Sequence, residues 1–85
     1  MTTTIRSTLE TMARDTADAL LEQIDESTPL ATHLTRLEEA PGVWGEYDGS
    51  AADLRAAGLD PAEHQSAYHD LVGREMARLL RERLA

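Results

Sequence analysis

Apolar residues recur at steps of three and four along four stretches of the chain, the spacing that lines one side of an α-helix. Over residues 5–26 the stripe is Ile5, Leu9, Met12, Ala13, Thr16, Leu20 and Ile24. Ser7 and Glu10 have the spacing of a capping box, so this helix is expected to start at Thr4 or Ser7. The run Ser27-Thr28-Pro29 ends it and opens the next, with Thr28 as N-cap and Pro29 at the first helical position. Leu30, Leu34 and Leu37 carry the stripe of a second helix, about 29–40. It stops before Pro41, because the residue ahead of a proline avoids helical backbone. A short third helix, about 51–57, has Ser50 as its cap and Gly58 at its end, with Leu59 folding back on Leu54. Asp60 and Pro61 then start a long helix, about 61–83, whose stripe is Tyr68, Val72, Met76 and Leu79, flanked by Leu71 and Leu80.

No stretch alternates polar and apolar residues, so no strand is expected. The pattern predicts an all-α chain, a small four-helix arrangement of two long helices (about 5–26 and 61–83) and two short ones (about 29–40 and 51–57). It reads as a single helical domain over residues 1–85.

Composition changes this picture in one respect. Leu, Ile and Val supply 16 of the 85 residues, Phe is absent, and the net charge is −8. That balance lies at the edge where chains stop folding alone. The 13 alanines favour helix but bury little area each. A second copy is the simplest source of further burial, so a homodimer built on the first or the last helix is expected. With no Cys, disulfides and thiolate metal sites are excluded. No apolar run approaches the roughly 18 residues of a membrane span. The start, MTTTIRSTLE, lacks a signal peptide's apolar core, so no membrane contact and a cytoplasmic setting are expected.

The stretch EEAPGVWGEYDGS, 38–50, holds the sole Trp and one of two Tyr, three residues apart among Pro41, Gly42, Gly45 and Gly49. Exposed, Trp44 would be a binding hot spot. A chain this short of large side chains is instead expected to bury it as a plug for one end of the bundle. On that reading the glycines let the backbone turn both rings inward.

Charge is the other distinctive feature. Asp15, Asp18, Glu22, Asp25 and Glu26 fall within about a third of the first helix's circumference, with no Arg among them. Like charges so spaced repel, so the sector is either a solvated face or a docking surface for a basic partner. Residues 1–60 hold 4 Arg and 12 acids, whereas 61–85 hold four of each. Direct binding of nucleic acid is not expected, because phosphates require a positive field.

Chemistry is sparse. His64 and His69 are five apart, hence on different helix faces, and His33 is on another helix, so no metal site is expected. Gly42, Gly45 and Gly49 match no phosphate loop, and no cofactor is expected. Ser66, His69 and Asp70 on one helix cannot line up as nucleophile, base and orienter. The expectation is a non-enzymatic protein that binds a protein partner through Asp15, Asp18, Glu22, Asp25 and Glu26. Its sharper form is an inhibitor that mimics nucleic-acid charge against a basic nucleic-acid-binding protein. Phage inhibitors of restriction or CRISPR systems offer an analogy of size and charge alone. The alternative is a homodimeric structural or regulatory subunit whose acidity serves solubility.

Overall fold

Every other helix rests on α5 (Pro61–Leu84) in the computed structural model, which describes residues 4–85. The first three residues of the domain expected over 1–85 lie outside the described residues. At about 1.5 Å per residue, the 24 residues of α5 run about 36 Å, close to the 39 Å length of the molecule. Tyr68, Leu71, Val72, Met76, Ala77 and Leu80 are buried along it. The Asp60 carboxylate accepts from the Ala62 N–H at 3.0 Å and Pro61 takes the first turn, as the sequence requires.

The remaining elements are α1 (Ile5–Glu22), α2 (Leu30–Glu39), α3 (Pro41–Trp44) and α4 (Ser50–Ala56). The chain is all-α, with two long helices and shorter ones between them, and no strand among the described residues. Among the described residues five helices stand where four are expected, because Pro41–Trp44 makes a turn of helix of its own. Ala40 breaks out of helical backbone at φ −145° and ψ 70°, as a residue before proline does, and Pro41 starts the new turn. Besides their contacts with α5, only α2 and α3 pack backbone to backbone among the described residues.

Local chemistry moves several boundaries. Thr4, not Ser7, caps α1: its hydroxyl accepts from the Ser7 N–H at 3.1 Å, while Glu10 pairs with Arg6. The helix ends at Glu22 rather than 26, because Asp25 caps a turn that competes with helix. Its carboxylate accepts from the Ser27 N–H at 2.9 Å, the Ser27 hydroxyl at 2.6 Å and the Thr28 hydroxyl at 3.0 Å. Thr28, spent on Asp25, therefore does not cap α2; Pro29 occupies the cap position and Leu30 begins the helix. Gly49, with φ 93°, takes the cap position of α4, and Ser50 becomes its first residue. At the other end the expected cap forms. Gly58 is left-handed at φ 79°, and the Leu59 and Gly58 N–H groups donate to the Leu54 and Arg55 carbonyls at 2.9 Å each.

The inner stripe of α1 is Leu9, Ala13, Ala17 and Leu21 at a strict spacing of four. Met12, Leu20 and Ile24 flank it part-buried, and Ile5 is exposed. The small alanines face α5, so the stripe is narrower than the sequence pattern suggests. The larger apolar residues of α5 are covered within the chain, apart from part-buried Leu79 and exposed Leu84 at its end.

Candidate protein-binding surface

Two glycines seat α3 on α5. A Cβ on Gly45 would overlap the His69 carbonyl oxygen and the Gly73 nitrogen. A Cβ on Gly73 would overlap the Pro41 carbonyl. Both glycines are buried, so the two backbones meet with no side chain between them. Gly42, in the same short helix, faces open space. The close seat leaves no room to turn Val43 and Trp44 inward. They are 65% and 47% exposed. Trp44 is therefore not the plug the sequence suggests. The Arg36 guanidinium on α2 lies over its ring, 4.9 Å from the centroid. This cation–π contact holds the indole on the surface rather than in the core.

Hollows lie on both sides of the ridge. Between α3 and α2 an apolar niche of about 200 Å³ is lined by Ile24, His33, Arg36, Leu37, Trp44 and Met76. Between α3 and the first half of α5 lies a polar one of about 520 Å³, lined by Ala40, Gly42, Val43, Glu46, Gln65, Ser66 and His69. Arg36 and Glu46 form no ion pair among the described residues.

Tyr47 takes the opposite course to Trp44. Its hydroxyl donates to the Asp53 carboxylate at 2.6 Å and meets the Tyr68 hydroxyl at 2.7 Å. Tyr68, fully buried, also meets the Thr16 hydroxyl at 2.8 Å. The two rings stand edge-to-face with centroids 6.0 Å apart. This chain of hydroxyls ties α1, α4 and α5 to the loop after α3. Burial, and after it the bond to Asp53, pushes the Tyr47 phenol well above its ordinary value of 10.

Ser50 forms a second buried polar centre, with His69. Its hydroxyl accepts from the Gln65 amide at 2.9 Å and lies 2.8 Å from His69 Nε2. The direction of the second bond follows the imidazole tautomer, because a hydroxyl that accepts from Gln65 can either donate to His69 Nε2 or accept from it as well. A hydroxyl on an imidazole is half of a nucleophile–base pair. Here Ser50 is 2% exposed, and no carboxylate hydrogen-bonds His69. The cluster pins α4 to α5. Asp70 pairs with Arg74 at 2.6 Å, and Ser66 is exposed. His33 donates from Nε2 to the Asp25 carbonyl at 2.9 Å, and His64 stands 3.7 Å from Glu63. No three His, Asp or Glu side chains cluster to hold a metal ion among the described residues, nor is any helix there long and apolar enough to cross a membrane.

The acidic sector divides. Asp15, Asp18 and Glu22 are exposed on α1, opposite its buried stripe, and Glu26 is exposed beyond the helix. None of them makes an ion pair among the described residues. Asp25 belongs to the turn, where its hydrogen bonds, led by that from the Ser27 hydroxyl, lower it below 3.8. By contrast the acids of α5 are engaged: Glu75 and Glu82 share Arg78, which holds Glu75 below the usual carboxylate range.

The sequence offers Trp44 as a surface anchor or a plug, and the scarcity of large side chains favours the plug; the hollows beside it leave no mark there. Gly73, isolated inside a strong helix pattern, was the available signal of a close backbone approach. Arg36 carried none. No protein-family model, curated protein or solved structure matches this chain.

Proposed function

We propose that this is a small, non-enzymatic protein-binding module whose partner is basic. The observation that carries the reading is the exposed Val43–Trp44 ridge on a helix that glycines lock to the core. Trp and Arg dominate interface energies, and here Arg36 lies on Trp44 beside an apolar niche. The partner's charge follows from the net −8 and from Asp15, Asp18, Glu22 and Glu26, which make no ion pair among the described residues. Such a field speeds the encounter of opposite charges without direct contact. Ile24 lines both the Trp44 niche and a cleft shared with Glu22 and Glu26, so charge and anchor adjoin.

The sharper form, mimicry of nucleic-acid charge, draws on the same carboxylates. Asp15, Asp18 and Glu22 supply three charges over about 10 Å of helix axis, against one phosphate per ~3.4 Å along one DNA strand. That row is sparser than the charge it would copy, so the weight falls on an ordinary basic patch.

Affinity capture from the native host tests this, with the wild type and Trp44→Ala as baits at low and high salt. A basic protein held by the wild type, and lost with Trp44→Ala and at high salt, is the expected result. A partner indifferent to both would overturn the reading.

A further inference from the structure

The hollows beside α3 differ in a way that describes what fits over the ridge. The niche next to Trp44 is apolar, floored by Leu37, Met76 and Ile24, and its rim carries Arg36. Its volume, about 200 Å³, suits a single side chain. The hollow next to Val43 is polar and presents Glu46, which makes no ion pair among the described residues. Arg36 repels a cation at one end of the ridge, and Glu46 attracts one at the other. An occupant must therefore present an apolar side chain on the Trp44 side and a cationic one on the Val43 side. The ridge between them is one turn of helix, so the two anchors lie about one to two helical turns apart.

We propose that the α3 ridge seats one basic amphipathic helix of another protein, with an apolar side chain in the Trp44 niche and an Arg or Lys beside Glu46. This rests on the protein-binding reading above and names its partner by class. A helix laid across a groove with anchors at i and i+4 or i+7 is a recurrent mode of recognition. Charge complementarity favours this occupant over a second copy. Another copy would bring a further net −8 to an acidic surface, and Arg36, the cation at the ridge, already lies on Trp44.

The test is a selection from a displayed library of helical peptides containing no Trp. The wild type alone is the target of the selection, and Trp44→Ala and Val43→Glu, both at exposed positions, are then assayed against the enriched peptides. Enriched peptides should carry an apolar residue and an Arg or Lys three to seven positions apart. Trp44→Ala should weaken the best of them by at least about tenfold, as removal of a hot spot does. Glu46→Gln should weaken it by about threefold to tenfold, with most of that lost at high salt. Acidic or uncharged consensus peptides, or enriched peptides that bind both variants as tightly as the wild type, would overturn the inference. If those peptides still lose affinity with Asp15→Asn/Asp18→Asn/Glu22→Gln, the protein-binding reading survives without the α3 seat. A dimer that sedimentation shows to depend on Trp44 would make a second copy the occupant and end both.

Discussion

Trp44 and Tyr47 lie three residues apart, yet one is held on the surface and the other is drawn into the core. Their difference is not one of size or polarity. Trp44 belongs to α3, whose backbone rests directly on the backbone of α5 at Gly45 and Gly73. A helix seated that closely presents its side chains away from its seat. Tyr47 comes after the seat, where the chain is free to turn and its hydroxyl finds Tyr68 and Asp53. Gly45, facing Gly73, therefore does the opposite work to that expected of it: it brings two backbones together and leaves the indole outside, whereas Gly42 faces open space and Gly49 makes a turn.

The sharpest way to break this comparison is to unseat α3. Gly73→Ala should destabilise the fold by about 3 kcal/mol, since the added carbon meets a backbone carbonyl rather than a yielding side chain. About 1 kcal/mol of better helix propensity offsets part of that. Gly42→Ala, next to Pro41 in α3 but facing open space, should be neutral or stabilising by up to about 1 kcal/mol. Urea unfolding of both variants measures the contrast, and equal stabilities would mean that α3 is not seated as described.

The inward half is tested next. Tyr68→Phe leaves the Thr16 and Tyr47 hydroxyls without their shared partner, at a cost of about 1–3 kcal/mol. Trp44→Ala should cost less than about 1 kcal/mol, because half of the ring is already in water. A larger loss at Trp44 than at Tyr68 would reverse the roles assigned to the two rings.

Two pH effects follow, the alkaline one larger. Folding raises the Tyr47 phenol above 10, so the folded chain holds this proton more tightly than the unfolded chain. Stability is therefore full below pH 10 and falls as pH rises beyond it. Tyr47→Phe should flatten that part of the unfolding profile. Folding lowers Asp25 below 3.8, so its contribution is present above that value and fades as pH drops through the lower folded value. Being exposed, Asp25 gives the smallest effect of the set. Asp25→Asn should remove it, whereas Asp15→Asn/Asp18→Asn/Glu22→Gln should slow association with a basic partner.

Much of the fold was legible in the sequence, and the reasons are local. Asp60, Pro61, Gly58 and Leu59 act within one turn of backbone, and their boundaries stand as read. The helix start at Thr4 was one of two readings, and the structure takes it. What escaped were competitions between neighbours. Asp25 outbid helical continuation by capping its own turn with Ser27 and Thr28. Ser50 gave up a capping role for His69 and Gln65, residues fifteen or more positions away. The ridge escaped for a related reason. A wheel shows which residues share a face, but not that two bare backbones will meet elsewhere and turn that face outward. The acidic sector was legible as charge and illegible as geometry, since Asp25 lies past the end of α1.

The central claim is that Trp44 is held outward to receive a partner, and the fluorescence of this sole tryptophan reports on it directly. In the isolated protein its emission should be that of a water-exposed indole, readily quenched by acrylamide, and unchanged across the micromolar range. On titration with a basic amphipathic helical peptide from the selection, emission should move to the blue and quenching should fall as the niche fills. An indole already shielded in the isolated protein, or one whose emission ignores a peptide shown by anisotropy to bind, would contradict the account.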